Sequence, residues 1–337
     1  MFNASHNPSL NEDLKNVATI FTIVTILLAL LTILLDLSIL ARLICHGKLR
    51  KCMSRSKSRR VGLLHSTNTY IHVIGCTTTF LLMSIRTLFG DFYTDNKFES
   101  VPSRHCRLLN CLMSMFSAGI YGSCFLHALF RFWRTVKSKQ RLLRQFTYNI
   151  RLIIVHWIII MILSIPVWFR SVYLSSENYC FNRFSDTWSS VYISITFVAI
   201  PVSGIFIVYM EIVFYMKQHW QSRERLRRMK RDVITIKRII LLVIVLLATS
   251  SAAIILWLLM FVQKRMHRLS YRLLCFMAVV GLLTCSVTLL SVSPQLRRAI
   301  KLTAHRRKRE HSNNDSVGSP SEMNVVDSIP LNYVFNF

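Results

Sequence analysis

The stretch CRLLNCLMSMFSAGIYGSCFLHALFR, residues Cys106–Arg131, decides the fold. It contains no Pro, and no charged residue lies between Arg107 and Arg131. At about 1.5 Å per residue a helix over this stretch is roughly 37 Å long, which exceeds a hydrocarbon core of about 30 Å. We therefore predict one membrane-spanning helix with a Cys at one water interface and an Arg at the other.

The composition extends this interpretation to the whole chain. Of 337 residues, 53% are hydrophobic and 17% are charged, which is too apolar for most soluble domains. Only 9 Gly and 7 Pro occur, and this scarcity is typical of a mostly helical chain. We predict an all-α fold, a seven-transmembrane helix bundle with a short amphipathic eighth helix.

Seven apolar runs are predicted to span the membrane. Their approximate ranges are 16–43, 63–89, 106–131, 150–169, 188–216, 233–262 and 271–293. The second run is the most polar, since it contains His65, Asn68 and His72, but a helix that faces the inside of a bundle tolerates such residues. After the seventh run, residues 294–302 combine a Pro in the first turn with a broad apolar side, which is typical of a helix lying on the membrane surface.

The chain divides into three predicted regions. Residues 1–15 are polar, include a glycosylation sequon at Asn3 and are predicted to form an extracellular tail. Residues 16–305 form the membrane domain, and the polar residues 306–337 are predicted to be a disordered cytoplasmic tail. No basic region or cleavage site precedes the first apolar run, so that run is predicted to serve as the insertion signal.

The basic residues predict the orientation of the bundle. The net charge is +27, and 31 of the 42 Lys and Arg residues lie on one predicted side, which is therefore expected to be cytoplasmic. This places the amino terminus outside, at the plasma membrane, although the last outer loop carries Lys264, Arg265, Arg268 and Arg272. The basic blocks alternate with spans, which argues against nucleic-acid binding, and we expect them to contact anionic lipids of the inner leaflet.

Cysteine placement agrees with this orientation. Of nine cysteines, only Cys106 and Cys180 fall in predicted outer segments. Because an outer compartment is oxidising, we expect a disulfide between them, with two free thiols as the alternative. The other seven are expected to be small packing residues.

Six residues stand in an order that is shared with a known family. They are Cys106 and Arg131 at the two ends of the third span, Trp157 in the fourth, Cys180 in the loop that follows, and Pro201 and Tyr209 in the fifth. Together with the segment after the seventh span, this order resembles rhodopsin-like G-protein-coupled receptors over roughly residues 16–305. The resemblance implies a receptor that binds an extracellular ligand, a peptide or a small molecule, and signals to a heterotrimeric G protein.

The resemblance also implies roles for two residues at the inner end. Arg131 and Tyr209 would form a switch, in which Arg131 meets the G protein once the sixth helix swings outward. Position alone leaves alternatives open. Arg131 is alternatively an ordinary basic residue whose side chain reaches the membrane–water interface, and Tyr209 is alternatively an aromatic residue of that interface. Pro201 is interpreted either as an ordinary kink or as the cause of a bulge at the binding pocket.

The chain departs from the family's pattern where signalling is concerned. The family's Asp/Glu-Arg-Tyr triplet is Phe130-Arg131-Phe132 here, so the ion pair that usually restrains the Arg is missing. Residues 286–290 stand where Asn-Pro-x-x-Tyr is expected, and Asp36 stands where an Asn is usual. We expect Asp36 to make a structural polar contact with a neighbouring helix, with a functional role as the alternative.

Absent residues restrict the ligand. The seventh span has no Lys, which argues against a retinal Schiff base. The third span has no acidic residue to receive an amine ligand. Cations at the predicted outer end suit an anionic ligand such as a carboxylate-bearing peptide, although contacts with solvent or lipid headgroups explain them as well.

Other function classes remain open. The chain is alternatively a receptor-like protein without G-protein coupling, or a small transporter or channel, but only Asp36 and Glu211 place acidic charge inside spans and no internal repeat is found. Ser123 and His127 lie four residues apart on one helix face, yet no acid orients them, so we predict that the chain is not an enzyme. We predict no catalytic residue, no cofactor and no metal site.

Overall fold

The computed structural model describes most of the predicted membrane domain. It covers residues 8–50, 57–92, 103–136, 145–174, 179–181, 186–218, 240–241, 243–248, 251, 254–256, 258–259 and 269–292. Within these ranges six helices are long and apolar enough to cross a membrane, which is consistent with a multi-pass membrane protein. Asn3, much of the sixth predicted span, the predicted eighth helix and the tail 306–337 lie outside the described residues.

The helices follow the predicted spans. Helices α1 to α4 are Pro8–Arg50, Lys57–Phe92, Ser103–Thr135 and Phe146–Arg170. The fifth span consists of α5 (Thr187–Ile193), a π-helical segment (Ser194–Ala199) and α6 (Ile200–Gln218), and α7 is Ser270–Val292. The described residues between 240 and 259 are also helical.

Two helices extend beyond the predicted spans. Helix α1 begins at Pro8, inside the predicted tail 1–15, and continues to Arg50, and α2 begins at Lys57, before the predicted start at residue 63. Hydropathy marks only the part of a helix that lies in hydrocarbon, whereas the backbone hydrogen bonds continue into polar residues.

The buried face of helix α1 consists largely of small and hydroxylated residues. Every third or fourth residue is buried, and the buried residues are Ala18, Thr22, Thr25, Ala29, Thr32, Asp36, Ile39 and Leu43. The exposed positions between them carry large aliphatic residues such as Leu27 and Leu34. Small and hydroxylated residues let helices approach closely, while aliphatic side chains are compatible with lipid. This face packs against α2 and α7.

The polar second span is a buried helix, as predicted. His65, Asn68 and His72 are each less than a tenth exposed, and so are Thr77 and Thr79. Helix α2 packs against α1, α3, α4 and α7, so its polar side chains face other helices. The low hydropathy of this segment therefore reflects its position in the bundle.

Helix α3 lies at the centre of the described fold. It packs against α2, α4, α6 and the π-helical segment. Two glycines permit this packing: a Cβ at Gly119 would collide with the His72 ring of α2, and a Cβ at Gly122 would collide with the His156 ring of α4. Larger residues at these positions would push the neighbouring helices away.

A short hairpin lies in the predicted loop between the fourth and fifth spans. Strand β1 (Val172–Leu174) pairs antiparallel with β2 (Tyr179–Phe181), and Tyr173 lies opposite Cys180. The strands consist largely of β-branched and aromatic residues, which favour extended structure. The hairpin contacts α3, so it lies at the end of the bundle where α3 begins. We call this the disulfide end and the opposite one the Arg131 end.

Candidate functional site

The disulfide end fixes the hairpin to α3. Cys106 in the first turn of α3 and Cys180 in β2 form a disulfide. One turn further along α3, Asn110 Nδ2 donates to Ser171 Oγ at 2.6 Å, and Ser171 Oγ donates to the Val167 carbonyl at 2.6 Å. A covalent bond and a buried hydrogen-bond chain therefore hold the connection between the fourth and fifth spans.

A buried ion pair joins three helices at the same end. Arg272 in the first turn of α7 donates to both carboxylate oxygens of Asp91 in α2, at 2.6 and 2.7 Å. The guanidinium also donates to Thr22 Oγ1 of α1 at 3.2 Å. Both charged side chains are about nine-tenths buried. Arg272 was one of the cations that ran against the predicted charge bias, and the partner that explains it was not predicted.

A second cation at this end also has an acidic partner. Arg170 at the end of α4 lies 3.4 Å from Asp186 and 5.1 Å from the centre of the Trp188 ring. The Arg170 side chain is half exposed, so this pair contributes little stability.

A largely apolar cavity lies between the helices. Its volume is about 530 Å³, within the range of roughly 300–1,000 Å³ that is typical of small-molecule sites. Helix α3 contributes Met113, Ser114, Ser117, Ile120 and Tyr121 to its wall. The π-helical segment, the sixth-span residues and α7 complete the wall, together with Cys76 and Phe80 of α2.

The π-helical segment bulges at this cavity. Pro201 is the second residue after it, and because Pro has no N–H, it cannot donate to the carbonyl four residues earlier. The chain accommodates this with wider turns, and π-bulges are often found at functional sites. Four of the six residues in the segment line the cavity, namely Ser194, Phe197, Val198 and Ala199. Of the two interpretations of Pro201, the structure has the bulge.

Tyr121 connects the cavity to the sixth span. Its ring lines the cavity, and its hydroxyl donates to the Leu246 carbonyl at 3.2 Å. Tyr121 was missed by sequence reasoning because an aromatic residue in an apolar span resembles any other packing residue. Its partner is a backbone carbonyl, which every residue has, so the identity of Leu246 gives no indication of this contact.

At the Arg131 end, an aromatic residue stands where the family has an acid. Phe130 is 1% exposed, and its ring lies 5.6 Å from the His65 ring of α2. His65 Nε2 donates to Asn149 Oδ1 of α4 at 3.1 Å, and the His65 ring stacks on His127 at 5.7 Å. Packing and one neutral hydrogen bond therefore connect α2, α3 and α4 here.

The two predicted switch residues lie on helices that pack against each other. Arg131 of α3 is half-buried, and Tyr209 of α6 is 5% exposed. Within the described ranges the Tyr209 hydroxyl has no hydrogen-bond partner. A direct contact between the Arg131 and Tyr209 side chains stays a prediction.

Asp36 makes a structural contact in the middle of the bundle. Ser286 Oγ of α7 donates to Asp36 Oδ2 at 3.0 Å, and the Tyr70 hydroxyl of α2 lies 3.5 Å from the Ser286 carbonyl. All three residues are buried. This is a structural polar contact with a neighbouring helix, as the sequence analysis predicted for Asp36.

Trp157 is held between α4 and α2. Its indole Nε1 donates to Asn68 Oδ1 at 3.0 Å, and its ring stacks on His72 with centroids 4.3 Å apart. The polar residues of the second span thus serve as partners for α4, which their burial alone did not reveal.

The geometry around Ser123 and His127 does not support the enzymatic alternative. Ser123 Oγ donates to the Ile120 carbonyl of its own helix at 2.9 Å, so its hydrogen is not directed at His127. Among the residues that the structure describes, no group of three His, Cys, Asp or Glu side chains is arranged to hold a metal ion.

No protein-family model and no curated protein matches this chain. The choice of function therefore depends on the order of sequence features and on the geometry of the cavity and the Arg131 end.

Proposed function

We propose that this chain is a receptor of the rhodopsin-like kind, which binds an extracellular ligand and signals to a heterotrimeric G protein. The observation that carries the proposal is the division of α3 into three levels. Cys106 fixes its first turn to the hairpin, residues between 113 and 121 line the cavity, and Arg131 lies in its last turns. One helix thus connects a ligand-sized space with the end that we propose binds the partner.

The proposal includes the parts of the bundle that lie beyond the described residues. The proposed receptor has seven spans and a surface-lying eighth helix, with its amino terminus outside the plasma membrane. The strong bias of Lys and Arg toward one side supports this orientation. Those basic blocks would bind anionic lipids of the inner leaflet, and the segment 223–231 would also help to recruit the G protein.

The contacts suggest how ligand binding would reach the Arg131 end. A ligand shifts a bundle between two states only if it binds one of them better. Tyr121 both lines the cavity and donates to the Leu246 carbonyl of the sixth span. A ligand that favours loss of this hydrogen bond would release the sixth span from α3 and expose Arg131.

The missing acid predicts a distinct resting state. Residue 130 is Phe, so it offers no carboxylate to Arg131. The packing of Phe130 on His65 and the His65–Asn149 hydrogen bond would then contribute to the resting position of α3. A neutral hydrogen bond contributes about 0.5–1.5 kcal/mol, roughly half as much as a charged one. We therefore propose that the receptor signals measurably without ligand.

Basal signalling in cells tests this proposal. The intact protein is expected to raise G-protein signalling above that of untransfected cells, and Arg131→Ala is expected to abolish the increase at equal surface level. Arg134→Ala is the matched control, because Arg134 is an exposed residue one turn further along the same helix. It is expected to keep most of the signal.

Equal loss of signal in both variants would indicate a general effect of the basic helix end. Unchanged signalling in Arg131→Ala would exclude the proposed switch. In either case the role assigned to Arg131 would be wrong.

A further inference from the structure

The cavity also indicates what kind of molecule it binds. Building on the proposed receptor function, we propose that it takes an uncharged, predominantly apolar ligand with one hydrogen-bonding group, which pairs with Ser114 Oγ. This class differs from the anionic one that the cations at the disulfide end suggested.

The part of the cavity wall that the structure describes contains no charged residue. All of its described residues are apolar or small and neutral, with Ser114, Ser117, Tyr121 and Ser194 as its hydroxyl groups. A charged ligand would lose its hydration without gaining a counter-ion, and the cost of burying an unpaired charge is several kcal/mol. An apolar ligand gains from the same wall by removing its own surface from water.

Two cations described at the disulfide end already have acidic partners. Arg272 is bonded to both oxygens of Asp91, and Arg170 is paired with Asp186. Neither residue belongs to the cavity wall. A carboxylate could be bound by Arg272 or Arg170 only at the expense of one of these pairs.

Ser114 supplies the single polar contact. Its side chain is 3% exposed, and its hydroxyl has no hydrogen-bond partner in the part of the chain that the structure describes. Several other hydroxyls of the helices are paired: Ser123 and Ser164 donate to their own helix, and Ser117 Oγ lies 3.3 Å from Cys76 Sγ. An unpaired buried hydroxyl is costly, so a ligand with a hydroxyl or carbonyl would stabilise the protein at this point.

Three probes with the same ten-carbon chain test the ligand class: 1-decanol, decanoate and decylammonium. Purified full-length protein in a non-ionic detergent is heated with each probe, and Tm is measured. We expect 1-decanol to raise Tm more than either charged probe. The variant Ala278→Phe, which adds a ring to the cavity wall, is expected to lose this shift, while Ile207→Phe on the exposed face of α6 is expected to keep it.

A second pair of variants tests the role of Ser114. In Ser114→Ala the affinity for 1-decanol is expected to fall about three- to tenfold, as the loss of one neutral hydrogen bond predicts. The affinity for n-decane, which has no hydroxyl, is expected to stay unchanged. Ser123→Ala removes a hydroxyl of the same helix that is already paired within it, and it is expected to leave both affinities unchanged.

Mass spectrometry of the purified protein distinguishes the source of the ligand. A neutral lipid that co-purifies with the intact protein and not with Ala278→Phe would indicate a ligand taken from the membrane. An empty protein that responds to added 1-decanol would indicate a ligand supplied from solution. Both results agree with the proposed class, whereas a charged compound lost in Ala278→Phe would overturn it.

Larger Tm shifts with decanoate or decylammonium, or equal shifts in the intact protein and Ala278→Phe, would also overturn the proposed ligand class. These are binding measurements without a G protein. A negative result here would therefore leave the Arg131-dependent signalling as it was found, and the two proposals can fail separately.

Discussion

Replacing Asp91 by Ala is expected to lower the free energy of unfolding by about 3–5 kcal/mol, because it leaves a buried guanidinium without its counter-ion. Arg272 donates to both Asp91 oxygens and to Thr22, and both charged side chains are about nine-tenths buried. The loss affects α1, α2 and α7 together. We expect it to appear as a large decrease in Tm in detergent.

The double variant Asp91→Leu/Arg272→Met distinguishes the cost of an unpaired buried charge from the cost of replacing the buried side chains. Removing both charges avoids the unpaired ion, and replacing a buried ion pair by apolar residues is often neutral. The double variant is therefore expected to recover most of the stability that Asp91→Ala loses. Arg170→Ala is the control for an exposed pair and is expected to cost at most about 1 kcal/mol. A similar Tm for Asp91→Ala and Arg170→Ala would contradict the buried pair.

Removing the disulfide by Cys106→Ala/Cys180→Ala is expected to cost about 2–5 kcal/mol. The bond closes a chain segment of 74 residues that includes α4 and the hairpin, and a longer closed segment restricts the unfolded chain more. The expected result is a lower Tm in circular dichroism, and a similar decrease when the intact protein is reduced with dithiothreitol.

Cys111→Ala is the matched control for the disulfide. Cys111 lies on the same helix, is half-buried and has a free thiol. Its sulfur lies 3.7 Å from the Ser164 carbonyl, which is a long contact, so we expect little change. If dithiothreitol leaves the Tm of the intact protein unchanged, the disulfide does not contribute to its stability.

The spans could be predicted from the sequence because a membrane imposes a length and a hydropathy that each helix must meet alone. A polar contact of Asp36 with a neighbouring helix was predictable for a related reason: a carboxyl group in a span needs a polar partner. The disulfide followed from the placement of only two cysteines on one predicted side.

Contacts between distant segments could not be predicted in this way. Asp91 and Arg272 are 181 residues apart and lie at the ends of their helices, where hydropathy gives no information. The cavity could not be predicted for the same reason, since five stretches of chain contribute to it and no residue of its wall is unusual by itself. Ser114 becomes informative only when the structure shows that its hydroxyl is unpaired.

The most direct test of the receptor proposal is nucleotide exchange in a purified system. The intact chain is reconstituted in lipid vesicles with heterotrimeric G proteins of each main class, and binding of a non-hydrolysable GTP analogue is followed over time. We predict faster exchange on at least one class than in protein-free vesicles, and no acceleration with Arg131→Ala. Equal exchange rates with the intact chain, with Arg131→Ala and with empty vesicles, with and without 1-decanol, would contradict it.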